Sequence, residues 1–115
     1  MESWDLTTIE APGGTVSPTV LATADGARAI TILLEPGQAL TDHQVRERAW
    51  VTVVEGHATV TCDGESVEAG TGTLLTFAPG ERHAVASATG ARLLLVLAPW
   101  PGEGHYAPGE VPHGD

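Results

Sequence analysis

The sequence predicts an all-β domain, an antiparallel β-barrel or jelly roll, on three observations. Short apolar or alternating runs are punctuated by DG, PG, EG, DG, PG and TG pairs, a spacing that suits strands joined by tight turns. Fourteen glycines and eight prolines favour many short elements over a helical bundle. No stretch keeps a 3.6-residue apolar period, whereas ITILLE (30–35) and HATVTC (57–62) alternate as half-buried antiparallel strands do.

Taken in order, strands are expected at 4–9, 18–24, 27–35, 39–45, 49–55, 57–62, 65–69, 73–78, 83–88 and 91–98. Turns fall at EPGQ (35–38), EG (55–56), DGE (63–65), APGE (78–81) and TG (89–90), where Gly, Pro and Asp supply the backbone freedom or restriction a turn needs. RLLLVLA (92–98) is apolar on both faces, so it is either a central strand or one whose outer face meets a second copy; a homodimer is expected. Residues 1–98 read as one domain with its motif-bearing core at 27–98. The stretch 99–115 changes character, with Gly and Pro at eight of seventeen positions, and its last ten residues read as mobile or draped over a neighbour.

Composition narrows the function classes. Fifteen acidic residues face five arginines and no lysine, for a net charge of −10. Such a surface repels phosphate backbones and anionic membranes, so neither nucleic acid nor membrane is an expected partner. The absence of lysine removes Schiff-base chemistry. Cys62 is the single cysteine, which excludes an intramolecular disulfide and a cysteine-based zinc site, and its place beside Ala58 and Val60 on one strand face reads as a buried inert thiol. MESWDLTTIE has no apolar signal region and no run reaches membrane-span length, so a cytoplasmic location is expected.

Two spaced motifs carry the chemistry. In 37–56, Gly37 is followed after five residues by His43, and Gly56 closes the stretch; in 72–87, Gly72, Gly80 and His83 fall in order. The pair resembles the two motifs of the cupin family, G-x5-H-x-H-x3,4-E-x6-G and G-x5-P-x-G-x2-H-x3-N. The separation matches small single-domain bacterial cupins of the RmlC-like kind. The resemblance spans roughly 27–98. It implies the barrel fold, and it implies a divalent metal held by two histidines and a glutamate of the first motif with a histidine of the second. Those positions are occupied here by His43, Val45, Ala49 and His83. Ala78 stands at the proline position, with Pro79 one residue later, and Ser87 at the final asparagine position.

Alternate residues of a strand share a face, so His-x-His would put two imidazoles in one cavity and a carboxylate would complete a facial triad. Val45 and Ala49 supply no donor and make the pocket wall apolar. Glu47, of the same strand parity as His43, could act as third ligand, or it could be a solvated member of the charged RER cluster. His105 of the tail is a second substitute. His43 and His83 could hold a metal (Fe, Mn, Ni or Zn), bond a ligand, or act as acid and base. Arg46, Arg48 and Arg82 cluster near them and could contact a carboxylate substrate, or pair with Glu47, Glu81 and their neighbours. Trp50 is open to core packing, a dimer seam or substrate stacking. His57 reads as a surface residue, and His113 has no role.

The leading expectation is a barrel pocket around His43 and His83 that binds a small molecule. If the protein is an enzyme, the resemblance implies a metal-dependent oxygenase, isomerase or decarboxylase. The alternatives are a metal-free binding or sensing module, or a structural dimer.

Overall fold

Every regular element among the described residues is a strand: β1 (Thr19–Ala24), β2 (Ala27–Leu34), β3 (Ala39–His43), β4 (Arg48–Cys62), β5 (Glu65–Gly70), β6 (Leu74–Phe77), β7 (His83–Ala86) and β8 (Ala91–Ala98). A computed structural model describes residues 1–10, 18–43 and 45–102, with 41–43 described by their backbone alone. The strands pair antiparallel in the order β1-β2-β8-β4-β7-β3, with β5 and β6 also on β4, and curl into a half-barrel.

Two DG pairs set the hairpins. Asp25 and Gly26 both have positive φ (53° and 74°), as do Asp63 and Gly64 (51° and 79°). Two consecutive left-handed residues make the tight turn whose twist matches its strands, so Ala24 pairs with Ala27 and Cys62 with Glu65.

The turn expected at Glu55–Gly56 is instead a bulge within one fifteen-residue strand. The register slips between Val53 and Glu55. β4 pairs with β6 over Ala49–Thr52 and with β8 from Arg48 to Gly56, and from His57 onward with β5 and β7, so one strand serves both halves of the barrel. Glycine is required there. Gly56 has φ +97°, and a Cβ would run into Gly90 O and sit 2.9 Å from Ala91 Cα. The strand expected at 4–9 is also absent, with residues 6–8 in a turn. The Asp5 carboxylate accepts from Thr7 N (3.0 Å) and Thr7 Oγ1 (2.6 Å), a local alternative to the ladder.

The core comes from inward alternation. Ile30, Leu95 and Val51 are register partners across three strands, as are Ile32, Leu93 and Val53, and all six are buried. Each such burial contributes roughly 1.5–3 kcal/mol. RLLLVLA is therefore a central strand between β2 and β4, and its outward Leu94 and Val96 stay half-buried. Trp50 lies on that outer face, 37% exposed and paired with Val96 and Thr76, which rules out the core placement.

Packing continues past the last strand. Trp100 N donates to Gly26 O at 2.7 Å, and Gly102 N donates to Glu47 Oε2 at 2.7 Å. His105, His113 and the last ten residues lie outside the described residues.

Candidate functional site

β3 ends at His43, and Val45 follows in the loop toward β4 rather than in the strand. The parity argument that put Glu47 on the face of His43 therefore fails, because residues 46 and 47 form a bend. Val45 is held by its backbone: its carbonyl accepts from Gly80 N at 2.7 Å, which ties the first-motif loop to the APGE turn of the second. Its side chain lines a cavity of about 370 Å³ with Val20, Ile30, Ile32, Leu40, Leu95 and Leu97. Arg28, Trp100 and Pro18 complete the wall. Ala49 lies in the core beneath, 1% exposed, paired with Leu97 and Phe77.

His83 opens β7, buried, and is the register partner of His43 across the β3–β7 ladder. Its ring stacks on Phe77 with centroids 3.9 Å apart and planes 8° from parallel. Nδ1 lies 3.1 Å from Glu81 O; since a carbonyl only accepts, this contact places the ring proton on Nδ1. Burial pushes the imidazole below its ordinary pKa, against the raising effect of that bond and of the Glu81 charge. His83 faces a cleft of about 210 Å³ lined with Thr61, Cys62, Asp63, Arg82 and Ala84. Among the described residues, the apolar cavity and the histidine cleft share no lining residue.

A polar group at that cleft escaped the sequence reading. Cys62, Asp63 and Glu81 bring one ligand atom each to within 4.8 Å of one another, a group that could hold a metal ion. Cys62 is half-buried rather than enclosed, and its Sγ donates to Glu81 Oε2 at 3.4 Å. Glu81 Oε1 accepts from Ala78 N at 2.9 Å, so one carboxylate closes the APGE turn and reaches the thiol. The Ala78 bond and the Cys62 bond lower the Glu81 pKa; burial, followed by Glu81, raises that of the thiol. The missed signal was the β4–β7 pairing of Thr61 with Ala84, which no local pattern discloses.

The residues at the barrel ligand positions do not fit the metal that the resemblance implies. Val45 and Ala49 offer no donor atom, leaving at most two imidazoles where three protein ligands are usual. Glu47 is not a surface charge. It is fully buried, and its Oε2 is bonded to Gly102 N.

Of the three arginines, Arg82 is exposed at the His83 cleft and Arg46 is exposed in the bend before β4, while Arg48 Nη1 donates to Thr76 Oγ1 at 3.2 Å. His57 is exposed as expected and lies 3.2 Å from Glu68. Ser87, at the asparagine position, donates to His57 O and accepts from Gly90 N at 2.8 Å, a fixed role between strands.

Comparison with known proteins agrees with this architecture. A family model described as the cupin domain matches residues 30–98. An uncharacterized conserved protein with a double-stranded beta-helix domain from Klebsiella pneumoniae has a TM-score of 0.78 at 17% identity, over 89% of this chain and 93% of that one. An RmlC-like cupin from Desulfovibrio desulfuricans has a TM-score of 0.77 at 20% identity, over 86% and 97%. An RmlC-like cupin from Shewanella frigidimarina has a TM-score of 0.73 at 25% identity, over 86% and 90%. No curated protein matches the sequence.

Proposed function

The chain belongs to the cupin family, a family of small-molecule and metal binders, and from that premise we propose that it binds a small, largely apolar molecule in the barrel cavity without a metal at the barrel ligand positions. The observation that carries this reading is the cavity itself. A partly open space of about 370 Å³ is lined by aliphatic side chains from β1, β2, β3 and β8, with Val45 at a position where the resemblance implies a metal-binding histidine. Small-molecule sites run from about 300 Å³ upward and are mostly apolar, which puts this one at the small end of the range.

The test combines ligand screening with elemental analysis. A ligand at about 100 times its Kd raises stability by about 2.7 kcal/mol, readily read as a shift in Tm. Small apolar compounds should raise the Tm of the wild type, and Val45→Trp, which fills the cavity, should abolish the shift. A shift that survives Val45→Trp would place the ligand elsewhere. Stoichiometric Fe, Mn, Ni or Zn in untagged protein, lost in His43→Ala and His83→Ala but kept in Cys62→Ser, would overturn the metal-free reading. It would restore the oxygenase, isomerase or decarboxylase class.

A homodimer is part of the same proposal. Its support is the outer face of β8 and its neighbours, where half-buried Leu94 and Val96 adjoin Trp50, and Leu74 is 62% exposed. Light scattering at monomer mass would remove it.

A further inference from the structure

Past β8, which ends at Ala98, the chain leaves the sheet because its next residues cannot continue a ladder. Pro99 and Pro101 carry no N–H, so the backbone donors of 99–102 are Trp100 N and Gly102 N. Each is spent on a different element. Trp100 N donates to Gly26 O in the β1–β2 hairpin, and Gly102 N donates to Glu47 Oε2 in the bend before β4. Gly26 is close in sequence to Arg28 and Glu47 to Val45, and both Arg28 and Val45 line the cavity. Residues 99–102 thus run as a strap between two sides of the cavity wall, with Trp100 itself part of the lining.

The far end of the strap is closely seated. Gly102 is buried, and a Cβ there would lie 2.8 Å from Arg46 O and 2.9 Å from Arg46 C. Glycine lets the amide approach the fully buried Glu47 to 2.7 Å, and a carboxylate is a stronger acceptor than a backbone carbonyl. A segment whose backbone is held at two points, rather than along a ladder, opens without unfolding the sheet beneath it.

We propose that residues 99–102 are a gating strap of the cavity, latched by the Glu47 carboxylate, and that release of Gly102 widens the mouth through which a small apolar guest enters and leaves. This deepens the cavity reading above and rests on it. Glu47 is then a positioning residue, since it holds the strap and is not among the described residues that line the cavity.

NMR with toluene as the guest tests it. In the wild type, toluene should shift the methyl signals of Ile30 and Leu95, both wall residues. A gate speeds entry and exit alike, so Glu47→Ala should raise the association and dissociation rates of toluene about tenfold each, the effect expected of one lost hydrogen bond, and leave Kd unchanged. Gly102→Ala, which unseats the strap from the other side, should do the same, and Glu47→Gln, which keeps an acceptor oxygen, should do so less. Val60→Ala, a core truncation outside the cavity wall, should leave both rates alone. Wild-type rates in the Glu47 and Gly102 variants, or a change in Kd through dissociation alone, would overturn the gate and leave the cavity standing. Methyl signals unmoved by saturating toluene in the wild type would overturn the cavity reading and the gate with it. Any one of the three strap variants decides the matter if another fails to fold.

Discussion

The resemblance puts Val45 and His83 at two positions of one ligand set, yet their surroundings differ sharply. Around Val45 the barrel holds a partly open aliphatic cavity bordered by Arg28 and Trp100. Around His83 the polar groups engage one another: imidazole with the Glu81 carbonyl, thiol with the Glu81 carboxylate, carboxylate with the Ala78 amide. Replacing a donor by valine leaves a hole without polar obligations, and such a hole suits an apolar guest. Retaining the histidine requires partners for its ring, and the second motif supplies them from its own turn. The two ends therefore differ in what they can bind.

The largest effect that sharpens this contrast is Leu95→Ala on the cavity side. Leu95 is 4% exposed and lines both chamber and core, so its truncation should cost about 2–5 kcal/mol by urea denaturation. Cys62→Ala at the polar end should cost a small part of that, because the thiol is half-buried. Equal losses would show the polar end to be core, and the contrast would collapse. Next is Glu47→Ala. It leaves the buried Gly102 amide without its acceptor and should cost about 1–3 kcal/mol, while Glu47→Gln, which keeps an oxygen, should cost less.

A smaller effect is the pH dependence of His83. Its folded pKa lies below the ordinary 6.5, so the unfolded chain takes up the proton first as pH falls. The stabilisation is complete above 6.5 and declines as pH drops from there toward the folded value. The urea midpoint should fall in that window for the wild type and stay level in His83→Phe, which can keep a ring stacked on Phe77. Glu81, lowered from 4.5, adds its own decline only at more acid pH. The smallest effect concerns Cys62. With its pKa raised, the thiol should react with iodoacetamide more slowly than a free thiol at mildly alkaline pH, and Glu81→Gln should speed the reaction by removing a raising charge. An unchanged rate in Glu81→Gln would detach the thiol from the carboxylate.

Much of the fold was legible because turn chemistry is local. Asp25-Gly26 and Asp63-Gly64 announce hairpins that form in register, and ITILLE and HATVTC bury the expected faces. Gly56 misled because glycine signals both a turn and a close approach; only the nearness of Gly90 and Ala91, more than thirty residues away, decides between them. The site was half legible. The apolar replacements at Val45 and Ala49 could be read directly. Glu47 could not, because its buried carboxylate meets the Gly102 amide 55 residues away, nor could the cavity, whose wall forms only when β1, β2, β3 and β8 come together.

Trp100 also gives the protein a built-in optical probe. Trp4 and Trp50 are 41% and 37% exposed on the outside, whereas Trp100 borders the chamber and stacks on its arginine. With Trp4 and Trp50 replaced by Phe, the emission of the remaining indole would report chamber occupancy directly. A guest that displaces water from beside the ring would shift its colour, so filling could be followed in real time without a label.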